Sequence, residues 1–145
     1  MKKNLNIINK KVGYEYFFIE QHIVGLKLTG NEVKSIKEGR ISLTDTFCFI
    51  QNGEIFVKNL NIENYKESPF FEKNRQIKLL MKKREINKLE KNLIKGLTIV
   101  PYRIFLNDRG LIKMEIVLAK GKKLYDKKEK IKEKDIQKEL SRKIW

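Results

Sequence analysis

One cysteine, Cys48, and one histidine, His22, are all that the 145 residues contain of either type. A disulfide within the chain is thereby excluded, a usage that fits a reducing compartment. Two such side chains also fall short of the roughly four ligands of a structural zinc site. Long apolar runs are missing too. No stretch approaches the ~20 residues needed to span a bilayer. The segment Asn4-Leu5-Asn6-Ile7-Ile8-Asn9, behind Lys2 and Lys3, is too short and polar for a signal peptide. A cytoplasmic protein with no membrane partner is expected.

Acidic charge is the other shortage. Against 33 Lys and Arg stand 18 Asp and Glu, a net charge of +15, which repels itself in a compact fold unless a polyanion offsets it. Small domains this basic carry the electrostatic footprint of nucleic-acid binders. The charge is uneven: residues 120–145 hold eleven Lys and Arg and five Asp and Glu, a net +6, leaving +9 to the first 119. That contrast predicts a folded body over 1–119 and a basic tail over 120–145.

The body reads as strands with a few helices. Tyr16 to Leu28 is rich in aromatic and β-branched residues, which predicts a long strand interrupted near Gly25. Thr29-Gly30-Asn31-Glu32 has capping-box spacing ahead of Val33 and Ile36, with a stop at Gly39, and predicts a short helix. Thr46–Ile50 and Ile55–Val57 flank Asn52-Gly53, a hairpin signal, and Leu60 and Ile62 are expected to continue the sheet. Glu63 to Asn74 reads as a loop whose Phe70 and Phe71 either pack beneath it or meet RNA. Ile86, Leu89, Leu93, Ile94 and Leu97 keep a helical period that ends at Gly96. Thr98–Leu106 and Leu111–Ala119 predict a second hairpin around Asn107-Asp108-Arg109-Gly110. With no βαβ rhythm, the fold class is mainly β (α+β), and a small Greek-key barrel of the oligonucleotide-binding kind closes its sheet edges within this length.

Catalytic patterns are weak. Glu32-Val33-Lys34 has the Glu-x-Lys form of one nuclease class, but such sites gather carboxylates on Mg²⁺, and the nearest upstream acid is Glu20. Capping explains Glu32 without chemistry. Asp45 and Glu54 lack a partner acid, His22 reads as a packed side chain, and Cys48 has no basic neighbour to lower its pKa. Gly121-Lys122-Lys123 lacks the rest of a phosphate-binding loop. Binding is expected, with no catalytic residue, metal or cofactor.

In the tail, Lys130, Lys134, Lys138 and Arg142 recur every four residues, with Ile136, Leu140 and Ile144 on another face. Like charges at this spacing each disfavour an isolated helix by about 0.2–0.5 kcal/mol, so the free tail is expected to be disordered and to become helical on a polyanion. Trp145 adds an indole suited to stacking. The excess of lysine over arginine favours recognition of RNA shape and backbone over sequence.

At Thr29-Gly30-Asn31-Glu32-Val33-Lys34-Ser35 the chain resembles the small protein B (SsrA-binding protein) family, whose signature there is Gly-x-Glu-Val-Lys-Ser. The likeness runs through Asn9-Lys10-Lys11, Tyr16-Phe17, Ile19-Glu20, Gly39, Gly53-Glu54, Arg75, Lys78-Leu79-Leu80, Glu85-Ile86 and Val100-Pro101. It ends on Ala119-Lys120-Gly121-Lys122-Lys123 with Tyr125-Asp126-Lys127. The resemblance implies a six-stranded antiparallel barrel of the oligonucleotide-binding type with flanking short helices. It implies binding to the tRNA-like domain of transfer-messenger RNA, with the tail placed in the decoding centre of a stalled ribosome against small-subunit rRNA. Alanyl-tRNA synthetase and elongation factor Tu would be indirect partners. Carried over by motif, Glu32, Val33, Lys34, Ser35, Arg75, Lys78, Lys120, Gly121, Lys122 and Lys123 would face RNA. Asp126, Lys127, Lys128, Lys130, Lys134, Lys138, Arg142 and Trp145 would act on the ribosome. Two positions depart from the family pattern: Lys128 and Ile77 stand where it has arginine. The competing expectation is a generic single-strand RNA-binding or ribosomal protein on the same barrel.

Overall fold

The computed structural model describes residues 5–65, 67–69 and 71–122. In chain order these form β1 (Asn6–Ile8), α1 (Lys10–Glu15), β2 (Tyr16–Leu26), α2 (Gly30–Lys37), β3 (Ile41–Ser42) and β4 (Phe47–Gln51). There follow β5 (Glu54–Lys58), β6 (Asn61–Ile62), β7 (Ile77–Leu80), α3 (Lys83–Ile94), β8 (Thr98–Leu106) and β9 (Ile112–Gly121). Seven strands hydrogen-bond in the order β1-β8-β9-β2-β7-β5-β4, all antiparallel. Edge strand β4 packs back against β8, so the sheet is strongly curled.

Three expectations are corrected. The main sheet has seven strands where six were expected. Leu60 and Ile62 do not continue it: β6 turns away to pair with β3 in a separate two-stranded sheet. The long strand ends at Leu26, and its irregularity falls between Phe18 and Glu20 rather than at Gly25. Ile19 is the residue without a partner in that register, and a bulge there bends β2 around the curl. Gly25 instead lies in regular register opposite Leu80 and Lys113. Strands β1 and β7 and helix α1 had no sequence signal beyond a few apolar residues.

Packing follows from the patterning. The run Ile116–Ala119 is buried on both faces of β9, as a continuous apolar stretch requires, and the buried Glu115 ahead of it accepts from Arg103 Nε at 2.6 Å. Met114, Ile116 and Leu118 join the main core with Ile36, Val57, Ile77 and Leu89, whereas Val117 and Ala119 meet Val12 of α1 and Val100 in a smaller cluster on the other face. Pro101 sits where the β8–β9 register shifts, a place where its missing N–H costs no ladder bond.

Both hairpins form as read. Asn52 and Gly53 have φ of 54° and 77°, the pair of positive values that a type I′ turn needs. Helix α2 opens with a complete capping box: Glu32 N–H donates to Thr29 Oγ1 and Thr29 N–H to Glu32 Oε1. It closes on Gly39 at φ +80°, where Gly39 N–H donates to Ile36 O and Arg40 N–H to Ser35 O, a Schellman motif. The described residues of 63–74 form turns and irregular chain, as the composition implied, and Phe71 packs against the core; Lys66 and Phe70 lie outside the described residues. No helix of the described residues is long and apolar enough to cross a membrane.

Candidate nucleic-acid interface

Where β2, the β4–β5 turn, β7 and the start of α3 converge they leave a concave groove of about 750 Å³. Its lining includes Ile23, Gly53, Lys78, Leu80, Lys82 and Lys83. Alternation along β7 sends Ile77 and Leu79 into the core, which turns Lys78 and Leu80 outward. Ile23 and Leu80 are 52% and 54% exposed, a costly arrangement for branched side chains unless a ligand covers them. Lys78 Nζ donates to Glu54 Oε2 at 2.8 Å, and that lysine holds the exposed Glu54 carboxyl below its ordinary pKa.

Helix α3 begins Lys83-Arg84 directly after Lys82 at its N-cap, and Lys82 makes no side-chain capping bond. Cations at the positive end of a helix dipole each oppose it by about 0.3–1 kcal/mol. An anion over the groove reverses that sign. Lys82 and Lys83 were missed in the sequence because a charge run reads as a solvated face. The signal present was its position, immediately ahead of a helical period.

The residues carried over by motif divide into different roles. Glu32 is 3% exposed, and both its carboxylate oxygens are occupied. Arg75 Nε donates to Oε2 at 3.1 Å and Arg75 Nη2 to Oε1 at 2.6 Å, while Oε1 also takes the Thr29 cap bond. Arg75 Nη2 further donates to Lys27 O, and the carboxylate raises the pKa of the guanidinium. Ser35 is fully buried, its hydroxyl donating to Glu63 O at 2.6 Å. Val33 packs against the core. Among Glu32, Val33, Lys34 and Ser35 only Lys34 is exposed, its Nζ 6.0 Å from the centre of the Tyr65 ring, which Arg40 also approaches at 5.9 Å.

At the far end of β2, Lys120 and Gly121 are the last residues of β9, opposite Phe17 and Tyr16. Lys120 is exposed, whereas Lys122 is 8% exposed, its N–H donating to Glu15 O and its Nζ 4.9 Å from the centre of the Phe17 ring. Gln21, the first groove-lining residue of β2, is four positions along the strand from Phe17, so Lys120 stands roughly 13 Å from the edge of the groove. Lys123, Asp126, Lys127, Lys128, Lys130, Lys134, Lys138, Arg142 and Trp145 lie outside the described residues.

Catalytic constellations do not assemble. Among the described residues no three His, Cys, Asp or Glu side chains stand together as metal ligands. His22 Nε2 lies 3.1 Å from Glu20 Oε1, and burial pushes the Cys48 thiol pKa up, away from the reactive thiolate. Glu32 accepts from Arg75 on both oxygens and from Thr29 on one, which accounts for the residue as a structural one.

A curled antiparallel sheet, with a groove lined by Lys78, Lys82 and Lys83 beside Glu54 and Glu85, on a chain of net charge +15 defines a small basic β-protein suited to a polyanion. The sequence pattern of the SmpB protein family matches residues 6–145, and the chain belongs to that family. An SsrA-binding protein of Christiangramia forsetii is 46% identical over 145 residues, which span 98% of this chain and 92% of that one. One from Phocaeicola vulgatus is 46% identical over 143 residues, spanning 95% and 94%. A solved chain described as "tmRNA-SmpB: a journey to the center of the bacterial ribosome" is 34% identical and superposes with a TM-score of 0.69 over 88% of this chain and 94% of that one.

Proposed function

We propose that this protein is an RNA-binding adaptor that holds the tRNA-like domain of transfer-messenger RNA and serves the rescue of stalled ribosomes. Membership of the SmpB family over nearly the whole chain carries this reading, and the solved relative, described with transfer-messenger RNA and the ribosome, supports it. The protein supplies binding and no chemistry.

The groove is the site assigned to the RNA body. Lys82, Lys83 and Lys78 would meet phosphates as point charges, and Ile23 and Leu80 would lie beneath sugar or base. Glu32 and Arg75 act one step back: their forked pair ties the start of α2 to the strand that carries Lys78. Lys34 and Lys120 widen the cationic surface, and the end of β9 launches the tail from Lys122 toward the decoding centre. The curl that brings β4 onto β8 supports the oligonucleotide-binding barrel as the architecture.

The test compares binding of a transcript of the tRNA-like domain with unstructured RNA of equal length. Preference for the folded RNA is expected, and Lys82→Glu and Lys83→Glu should each weaken it and lower the log–log salt slope by about one. Equal affinity for both RNAs would assign the protein to generic single-strand binders instead.

A further inference from the structure

Three phenylalanines on the β4–β5 hairpin point away from the core. Cys48 and Ile50 of β4 pack inward, as do Ile55 and Val57 of β5. Period-2 alternation therefore sets Phe47, Phe49 and Gln51 of β4 and Glu54, Phe56 and Lys58 of β5 on the outer face. Solvent-facing positions of an antiparallel sheet are ordinarily polar. Here the ring centres follow at 6.1 Å from Phe47 to Phe49 and 5.5 Å from Phe49 to Phe56, the latter pair stacked at 26°. Phe47, at the open end of the row, is 44% exposed. Helix α1, which covers the outer face of β9, lies on the Val117 and Ala119 cluster rather than on this hairpin, where Phe49 and Phe56 are half-buried.

Cations flank the row. Lys58 stands directly across from Phe47, and Lys78 across from Phe56. Lys58 is exposed and forms no ion pair among the described residues. Lys78 already has the Glu54 carboxylate as its partner, but an apolar protein segment docked on the row would strip water from the Lys58 ammonium without an anion to replace it. The row is suited to a strand of unpaired nucleotides, whose bases stack on the rings while the backbone phosphates pass the lysines.

We propose that this face is a stacking platform for an unpaired segment of the bound RNA. It adjoins the groove, because Lys78 belongs to both, and so rests on the assignment of RNA to that groove. RNA leaving the groove past Lys78 reaches Phe56 first, then Phe49, and ends on Phe47.

Phe47 is the position to test, since its exposure lets it change without opening the core. Full-length protein carrying Phe47→Ala is titrated with a transcript of the tRNA-like domain, alongside Phe47→Leu, which keeps apolar area and loses the π-face. Both should bind about ten-fold more weakly than the parent, the scale of one lost base stack. Phe47→Trp, which keeps a π-face, should bind more tightly than Phe47→Ala, and the indole emission it adds to that of the parent should be quenched at saturation. Parental affinity in Phe47→Ala overturns the platform. If Lys82→Glu still weakens binding, the groove survives that result, and if it does not, both assignments fall. Full rescue by Phe47→Leu would make the row a mere water barrier and overturn the stacking claim. Concentration-dependent dimerisation that Phe47→Ala abolishes would give the face to a second copy, with the same consequence.

Discussion

Arg75 and Glu32 are 43 positions apart, yet they form a two-bond fork with Glu32 almost wholly out of water. Removing the guanidinium strands a buried carboxylate, so Arg75→Ala should cost about 3 kcal/mol in urea unfolding, with Arg75→Lys recovering part of it because an ammonium cannot fork. The capping half of Glu32's role was legible, since Thr29 and Glu32 are three residues apart. The Arg75 half was not, because no local pattern pairs residues across four strands and a loop. Cys48 offers a second check. Burial raises its thiol pKa in the folded state, so the native protein keeps a proton that the unfolded chain releases above about 8.5. Stability should therefore fall as pH rises past that value, and Cys48→Val should lose this part of the slope when pH series of urea midpoints are compared.

Elements defined by neighbours in sequence were read well. The capping box and Gly39 stop of α2, the Asn52-Gly53 turn and the helical period of α3 are all encoded within a few residues. Gly39→Ala tests one of them: a Cβ at φ +80° is strained, and the variant should be about 1–2 kcal/mol less stable by thermal or urea unfolding. Elements defined by partners were read poorly. β7 is four residues long and looks like loop until β2 and β5 supply its ladders. β6 carries the same apolar signal as a sheet strand, but Asn59 at φ +63° reverses the chain before it and β3 captures it. The bulge opposite Leu118 and Ala119 depends on register between strands nearly a hundred residues apart, which alternation in β2 alone does not reveal.

For the whole molecule, the end of β9 has a structural consequence. β9 runs to Gly121, and Lys122 N–H closes onto Glu15 O. Truncation after Lys122 should leave folding and binding of the tRNA-like domain intact while abolishing tagging of peptides on stalled ribosomes. Truncation after Ala119 should also lower the melting temperature, because it removes the partners of Tyr16 and Phe17. Binding itself should weaken with salt at a log–log slope of about −0.7 to −0.9 per phosphate neutralised, measured identically for the full chain and the Lys122 truncation.

What the sequence by itself determined was the kind of protein: its charge, its fold class, the helices and hairpins with local caps and turns, and the motifs that placed it in its family. These are properties of composition and of residues within one turn of each other, where the chain's covalent geometry already sets who can interact. Only the tertiary structure decided which conserved-looking side chains are spent holding the fold and which stand at the surface. It buried Glu32 and Ser35, turned Lys78, Leu80 and Ile23 toward one groove, and lined three phenylalanines along an outer face. Those assignments depend on strand register and on the curl of the sheet, which arise from packing between segments far apart in the chain and leave no local trace.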